Sequence, residues 1–338
     1  MLPPLADLLE TARVVSLPLA QRFRGIDRRE AVIMEGPKGF TEFSPFLEYD
    51  DAEAAAWLAA AIDFGWSDHS PIVTSEARTI RVNATLPAVP VERVASVLAR
   101  FPGCRTVKIK VAEPGQQLAD DAARVAEARR ILGPEGRIRI DANGLWNVDE
   151  AEHAIHVLAA HDLEYVEQPC ATVDELAQVR DRVAYMGIPI AADESVRKAT
   201  DPLAVARAGA ADLLVIKAQP LGGVTNALAI VRAAGLPVVV SSALDSSIGI
   251  SMGLHLAAAI GDLPYDCGLA TAALLAADVT DEPLIPLDGA MEVRRVRASS
   301  TLMERNAAST DRTDWWTARI TRTYELLREA GTGRGLQN

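Results

Sequence analysis

Polar residues interrupt the short apolar runs in the middle of the chain at nearly equal intervals, and their types suit acid, base and metal-binding chemistry. Lysine comes first, three acids follow, and lysine and serine come after them, with 24 to 31 residues between successive members. A strand with its crossover helix takes about 30 residues, so each interval is close to one βα unit. The residues are Lys110 (with Lys108), Asp141, Glu167, Asp193, Lys217, Ser241 or Ser242, and Gly268.

The three acids would converge if the runs are parallel strands, because all strands of a parallel barrel open on the same end. A single acid at a strand end is usually a helix cap, but three on consecutive strands, flanked by lysines, are hard to explain as separate caps. Close carboxylates raise one another's pKa unless a cation lies among them. Oxygen ligands with no cysteine or histidine nearby favour a hard ion, so Asp141, Glu167 and Asp193 indicate Mg2+, with Mn2+ as a substitute.

The two lysines of TVKIKV raise a separate question. The period of a strand places Lys108 and Lys110 on one face, opposite Val107, Ile109 and Val111. Such a pair usually marks a solvated face, because lysine is rarely buried without a partner. Inside a barrel mouth, however, desolvation and nearby positive charge lower a lysine's pKa and make the amine usable as a base.

The elements that must position these residues follow from the same stretch of chain. Apolar runs alternate with helix-like segments from about residue 104 to 270, which indicates a parallel sheet closed into a barrel. The first 90 or so residues predict a separate α+β domain, and a helix-like segment follows Glu292. The expected division is 1–95, 96–290 and 291–338. The runs are RTVKIKV, RIRIDA, LEYVEQ, IPIAADE, DLLVIKA, LPVVVSSA and PYDCGLA.

Composition excludes several classes of protein. The 338 residues carry a net charge of −12 and no basic block, which argues against a nucleic-acid partner. Three widely spaced cysteines suggest neither a disulfide framework nor a zinc site. No secretory signal and no uninterrupted apolar run of about 18 residues occur, so we expect a soluble cytoplasmic protein with no membrane partner.

The five polar motifs together resemble the enolase superfamily, in its muconate-lactonising subgroup. The matching segments are KIK, DANG, VEQP, ADES and IKAQPLGGV. The resemblance implies a modified TIM barrel of the (β/α)7β type, with an α+β capping domain that the C-terminal segment completes. It also implies a lysine base and Mg2+ that stabilises an enediolate.

Within that subgroup, FRGIDRREAVIMEG, GFTEFSPF and SSALDSSIGISMGLHLA resemble the o-succinylbenzoate synthases of actinobacterial type. That family dehydrates 2-succinyl-6-hydroxy-2,4-cyclohexadiene-1-carboxylate to 2-succinylbenzoate on the route to menaquinone. The resemblance implies that Lys110 removes a proton and returns it to the departing hydroxyl. Lys217 would stabilise the enediolate from the opposite face, and Lys108 would hold the carboxylate.

Further substrate contacts are expected around these lysines. Arg139 lies two residues before Asp141 and so on the same strand face. The resemblance implies that the succinyl tail reaches the last strands and a loop of the capping domain. The residues expected there are Ser241, Ser242, Gly268 and Leu269 on one side, and Phe23, Arg24 and Gly25 on the other.

Two other functions stay open at this point. An N-succinylamino acid racemase or dipeptide epimerase of the same subgroup would use the same lysines, because racemisation needs acid and base on opposite faces. A noncatalytic barrel would be expected to lack one of the five motifs, yet all five are present. We expect a small-molecule carboxylate as the ligand and a monomer or small homo-oligomer.

Overall fold

The N-terminal part is a small α+β domain. The structure, a computed structural model, describes residues 2–69, 79–198 and 201–334. The domain consists of α1 (Leu5–Thr11), β1 (Arg13–Phe23), β2 (Ile26–Gly36), β3 (Gly39–Phe43) and α2 (Asp51–Trp66). The three strands form an antiparallel sheet in the order β1-β2-β3. Helix α2 starts where the Asp50 carboxylate accepts a hydrogen bond from Glu53 N, and its buried face carries Trp57 and Leu58 against the sheet.

The middle of the chain repeats strand and helix. Its strands are β4 (Thr79–Arg81), β5 (Ala84–Leu86), β6 (Thr106–Lys110), β7 (Arg137–Asp141), β8 (Leu163–Glu167), β9 (Ile190–Ala192), β10 (Leu213–Lys217) and β11 (Val238–Ser241). Its helices are α3 (Val94–Leu98), α4 (Leu118–Leu132), α5 (Val148–Leu158), α6 (Val173–Val183), α7 (Glu194–Arg197), α8 (Ala204–Arg207), α9 (Val224–Ala234) and α10 (Ser247–Ile260). Strands β5 to β11 form one parallel sheet in chain order, as expected for consecutive βα units.

Two residues close this sheet into a barrel. Cys267 bridges to Val82, just before β5, and Gly268 bridges to Ser241 at the end of β11, both in parallel. Gly268 N donates to Val240 O at 2.8 Å. A Cβ on Gly268 would lie 2.5 Å from Ser241 Oγ, so a larger residue here would displace the Ser241 hydroxyl. Seven strands and the segment around Cys267 therefore form a ring of eight, as the (β/α)7β prediction requires.

Successive side chains along each strand point to opposite sides of the barrel wall. Val107 and Ile109 of β6 are buried in the large core between strands and helices, while Lys108 lies among acids inside the ring. The lower interior is filled by a small apolar cluster that includes Tyr165, Leu213 and Val215. The period-two prediction for TVKIKV therefore holds in the structure.

The C-terminal segment returns to the α+β domain. It contains β12 (Ala290–Glu292), which pairs with β4 antiparallel, then α11 (Ser300–Arg305) and α12 (Thr310–Arg334). Trp316 and Ile320 of α12 are buried in the same core as Phe43 and Trp57. Trp316 Nε1 also donates to Glu30 Oε2 at 2.7 Å.

The predicted fold class, a modified TIM barrel with an α+β capping domain, is confirmed. One difference concerns where the barrel begins. Strand β5 pairs with β6 in the barrel sheet, and α3 packs against α4 on the barrel exterior, although both were expected within or beside the N-terminal domain. Strand β5 has only three residues, too few to show the period of a strand. The three-part division itself stays a prediction.

A buried carboxylate of the capping domain joins the two domains. Glu42 of β3 accepts hydrogen bonds from the N–H groups of Ser246 and Gly249 at the N-terminus of α10, each at 3.2 Å, and from Ser44 Oγ at 2.6 Å. It thereby takes the place that an acid within the helix occupies in a capping box. Burial and the nearby Asp245 carboxylate raise the pKa of Glu42 to about 7. Arg29 of β2 donates to Leu244 O at 3.2 Å in the same junction.

Glu42→Ala is expected to lower the free energy of unfolding by about 3 kcal/mol, because it leaves several buried donors without an acceptor. Urea unfolding followed by tryptophan fluorescence measures the loss. Glu42→Gln, which keeps the volume and one acceptor oxygen, should lose much less. Equal stability of the parent and the alanine variant would contradict this account of the domain junction.

Candidate active site

The structure brings the predicted acids and lysines together at the carboxyl ends of the barrel strands. Lys110 lies beside Asp141, and Asp141 beside Glu167, in the register of β6, β7 and β8. Asp193 directly follows β9, and Lys217 ends β10. All five side chains are at least largely buried, with Asp141 and Glu167 fully so. Their charges must therefore be balanced by one another rather than by water.

Each carboxylate has a lysine partner. Lys110 Nζ lies 2.5 Å from Asp141 Oδ2. Lys108 Nζ lies 2.6 Å from Glu167 Oε1 and 3.2 Å from Asp141 Oδ2. On the other side of the mouth, Lys217 Nζ lies 2.5 Å from Asp193 Oδ2. Strands β6 and β10 are four positions apart in the ring of eight, so Lys110 and Lys217 approach the mouth from opposite sides.

The two lysines of β6 differ in acidity. Burial lowers the pKa of Lys108, but Glu167 and Asp141 raise it by more, so that its pKa lies well above the ordinary value. Burial also lowers the pKa of Lys110; Asp141 opposes this effect and the Lys108 ammonium adds to it, and the net pKa is below the ordinary value. Of these two amines, Lys110 is therefore the one that loses its proton more readily.

The three acids also differ in pKa. Burial and then the Asp141 charge raise the pKa of Glu167 to about 8. Burial raises the pKa of Asp141 too, but Lys110 and Lys108 outweigh it and hold this pKa well below its usual range. For Asp193, Lys217 and Arg197 likewise lower the pKa by more than burial raises it. Glu167 is thus the carboxyl whose charge is least well compensated.

The residues fit a hard divalent ion, although they are not arranged as a finished cage. No group of three histidine, cysteine or acidic side chains within residues 2–69, 79–198 and 201–334 forms a ready metal site. The lysine ammonium groups contact carboxylate oxygens that a metal ion would also need as ligands. Glu167 Oε2, however, is buried without a hydrogen-bond partner, and a cation beside it would supply the compensation that this carboxyl lacks. The all-oxygen set of Asp141, Glu167 and Asp193 suits Mg2+.

A cavity lies above these charges, between the barrel mouth and the capping domain. Arg24, at the β1–β2 turn, has its guanidinium carbon 4.4 Å from the centre of the Phe46 ring. Ser242 Oγ lies 2.8 Å from Thr271 Oγ1 and donates to Gly268 O at 2.7 Å. The cavity is lined by Phe23, Arg24, Phe46, Thr85, Lys108, Lys110, Asn143, Arg197, Lys217, Ser241, Ser242, Ala243, Leu244 and Thr271.

Four of the expected substrate contacts are not among the residues that line this cavity: Gly25, Arg139, Gly268 and Leu269. Leu269 is fully buried in the hydrophobic core. Arg139 lies in the barrel floor, where its Nη1 donates to Asn83 Oδ1 at 3.0 Å and to Asp266 O at 2.6 Å and its Nε reaches Glu164. Phe23, Arg24, Ser241 and Ser242 do line the cavity, whereas Gly268 contacts it only indirectly, through the hydrogen bond that its carbonyl accepts from Ser242 Oγ.

Sequence reasoning missed several polar residues of the cavity. Thr85 is on the three-residue strand β5, next to Lys108 in register, and its Oγ1 is buried without a hydrogen-bond partner. Thr271 follows the barrel-closing segment. Asn143 comes two residues after the predicted ligand Asp141, in DANG, and Arg197 comes four residues after Asp193, in ADESVR. This closeness to a predicted ligand is the sequence signal that could have identified both residues.

Comparisons with known proteins agree with this architecture. Residues 14–73 match the family "Enolase N-terminal domain-like" and residues 91–297 match "Enolase C-terminal domain-like". The muconate lactonizing enzyme from Pseudomonas putida is similar in structure, with a TM-score of 0.71 and 19% identity over 88% of this chain and 98% of that one. The L-Ala-D/L-Glu epimerase from Bacillus subtilis has a TM-score of 0.71 and 23% identity over 85% and 96%. Fold and site thus define a two-domain protein of the enolase class.

Sequence relatives narrow this class. The o-succinylbenzoate synthase of Mycobacterium ulcerans is 52% identical over 324 residues, which cover 96% of both chains. That of Mycobacterium tuberculosis is 49% identical over 328 residues, 97% of this chain and 98% of the relative. The chain belongs to the o-succinylbenzoate synthase family of lyases. The predicted family is therefore confirmed in preference to the racemase and epimerase alternatives.

Within residues 2–69, 79–198 and 201–334, no helix is both long and apolar enough to cross a bilayer.

Thr85→Val is expected to raise KM for the family's cyclohexadiene substrate about tenfold, because a buried hydroxyl without a protein partner is available to hydrogen-bond a ligand. Valine keeps the shape of threonine and the β-propensity of the strand. Steady-state kinetics measure the effect, and Thr85→Ser, which keeps the hydroxyl, serves as the control. Unchanged KM in the valine variant would argue against a substrate contact at Thr85.

Proposed function

We propose that this protein catalyses the Mg2+-dependent syn dehydration of 2-succinyl-6-hydroxy-2,4-cyclohexadiene-1-carboxylate to 2-succinylbenzoate, a step of menaquinone biosynthesis in the cytoplasm. The relationship to o-succinylbenzoate synthases carries the choice of reaction, and the pair of buried lysines on opposite sides of the barrel mouth, each 2.5 Å from its own carboxylate, supports proton abstraction at this site. The family relationship supplies the substrate. We further propose a monomer or a small homo-oligomer.

Asp141, Glu167 and Asp193 would hold the metal ion. When bound, Mg2+ supplies positive charge next to the substrate carboxylate, where negative charge develops as the adjacent C–H bond breaks. The unpaired Oε2 of Glu167 supports this assignment. Lys108, tied to Glu167 and Asp141, stays charged and is a further partner for the substrate carboxylate.

Lys110 would act as the base. Its pKa is lowered by burial and by Lys108, which makes the neutral amine more accessible than that of an ordinary lysine. In the proposed sequence the Lys110 amine takes the proton from the ring carbon that carries the carboxylate. The same ammonium then protonates the hydroxyl that leaves from the same face. Water departs, the ring becomes aromatic and the amine is regenerated.

Lys217 would act as an electrostatic partner of the substrate. It lies against Asp193 on the side of the mouth opposite Lys110, where an ammonium stabilises the enediolate formed after proton removal. A cation over the ring also interacts favourably with its π system. This role requires charge but no proton transfer, which distinguishes a dehydratase from a racemase.

The succinyl tail would occupy the side of the cavity beneath the capping domain. Arg24 offers the charge that a tail carboxylate needs, and stacking on Phe46 holds its guanidinium in place. Hydroxyls of Ser241, Ser242 and Thr271 line the same cavity and offer hydrogen bonds.

Glu167→Gln is expected to abolish turnover and Mg2+ binding without lowering the free energy of unfolding, because a neutral amide replaces a carboxyl whose charged form is already disfavoured by burial. Mg2+ should raise the thermal unfolding temperature of the parent but not that of the variant. Glu42→Gln, which alters a buried carboxyl outside the mouth, serves as the matched control and should still respond to Mg2+. Full parental activity after exhaustive EDTA treatment would exclude the metal.

Lys217→Arg is expected to leave measurable dehydration but to abolish any racemisation of N-succinyl amino acids. Arginine keeps the charge and does not deprotonate, while its larger fork should lower the rate in a packed mouth. Assays of both reactions on the parent and the variant measure this difference, with Lys110→Ala as the inactive control. Faster racemisation than dehydration by the parent, with both activities lost together in the variant, would favour the racemase alternative.

A further inference from the structure

The base candidate Lys110 has a second, neutral partner. Its Nζ donates to Asn143 Oδ1 at 2.6 Å in addition to Asp141. Asn143 adopts a positive φ of 49°, a conformation that asparagine tolerates better than most residues, and its N–H donates to Asp141 Oδ1 at 3.0 Å. The loop after β7 is thereby bent so that the Asn143 amide reaches the ammonium.

The orientation of this amide follows from its two neighbours. Asn143 Nδ2 donates to Glu194 Oε1 at 3.2 Å, while Oδ1 faces Lys110. The reverse orientation would place an N–H against an ammonium and a carbonyl against a carboxylate, which is unfavourable on both sides. Asn143 therefore links the lysine to the acid in one arrangement only.

Glu194 extends the chain to an arginine. Its Oε1 also accepts from Arg197 Nη2 at 2.7 Å. Arg197 is 3% exposed at its side chain, and its Nε lies 3.2 Å from Asp193 Oδ1. The charges of Asp193 and Glu194 raise the pKa of Arg197 by more than its burial lowers it, so the guanidinium stays charged and its fork is a rigid connection.

The Arg197 guanidinium also contacts the capping domain. Arg197 Nη1 donates to Tyr49 OH at 3.0 Å. Tyr49 is buried, its ring packs edge-on against Phe46 at 5.5 Å between centroids and near Trp57 at 6.1 Å, and its carbonyl accepts from Arg319 of α12. The ring and backbone of Tyr49 are thus held by the core of the capping domain, while its hydroxyl contacts the barrel.

We propose that Tyr49, Arg197, Glu194 and Asn143 form a positioning chain that fixes the Lys110 ammonium over the barrel mouth only when the capping domain is seated. The chain rests on the proposed role of Lys110. A lysine side chain has four rotatable bonds and loses considerable entropy when it is held, and a base displaced by 1 Å can lose about a hundredfold in rate. The capping domain therefore contributes to proton transfer without touching the reacting atoms.

Tyr49→Phe tests the chain at its far end, because it removes one hydroxyl that does not line the cavity. The expected result is a kcat about tenfold lower with KM within twofold of the parent. The primary deuterium isotope effect, measured with substrate deuterated at the ring carbon that carries the carboxylate, should rise because proton removal becomes slower relative to other steps. Tyr185→Phe, which changes an exposed tyrosine, is the matched control and should leave all three quantities unchanged.

Glu194 provides a second test. Glu194→Ala removes the link and should lower kcat at least as much as Tyr49→Phe, whereas Glu194→Gln keeps an acceptor oxygen and should recover most of the loss. A fall in kcat with no rise in the isotope effect would indicate a smaller folded fraction and would overturn the chain. A rise in KM without a fall in kcat would also overturn the chain.

The outcomes also separate this inference from the function on which it rests. If the parent dehydrates the cyclohexadiene acid and Lys110→Ala is inactive, but Tyr49→Phe and Glu194→Ala keep kcat within twofold, the chain is refuted and the proposed function stands. If the purified parent does not dehydrate that acid in the presence of Mg2+, the proposed function itself is refuted.

Discussion

Charge balance inside the barrel mouth constrains the whole structure. Three carboxylates and three ammonium groups are buried there in direct contact, and none of them could be buried alone at acceptable cost. The arrangement requires strands of fixed register, since a slip of one residue would turn each lysine into the apolar wall. It also requires a closed ring, because an open sheet would not place Lys110 opposite Lys217.

The capping domain is joined to this mouth by polar side chains rather than by a broad apolar surface alone. Glu42 caps a barrel helix from another domain, Arg29 binds the carbonyl of Leu244 beside the cavity, and Tyr49 accepts from Arg197. Hydrogen bonds depend on direction more than apolar contacts do. They therefore specify one seating of the cap over the cavity, which is the seating in which its lining residues converge.

The barrel and its charged residues could be predicted because both follow from local patterns. Each strand carries its own apolar run, and each charged residue falls at the end of a run, at the βα interval. The same reasoning failed for Thr85, since β5 is too short to show a period, and for Leu269 and Arg139, whose surroundings depend on packing between distant strands. Arg139, two residues before a mouth acid, was expected at the mouth, yet its long side chain turns towards Glu164 and Asp266 in the floor. Sequence alternation specifies a face but not the direction along the strand in which a long side chain extends.

Helix α12 affects how the protein folds while it is being synthesised. Trp316 and Ile320 complete a core that also contains Leu8 and Trp57, so the first folded element in the sequence depends on one of the last. At ribosomal rates of about 5–20 residues per second, roughly ten seconds to a minute separate the emergence of these parts. During that interval the barrel units can fold in order, while the apolar face of the N-terminal strands stays exposed because α12 does not yet cover it. The nascent chain is therefore most vulnerable to aggregation at its beginning, and chaperone binding to the first sixty or so residues would be most useful before α12 is synthesised.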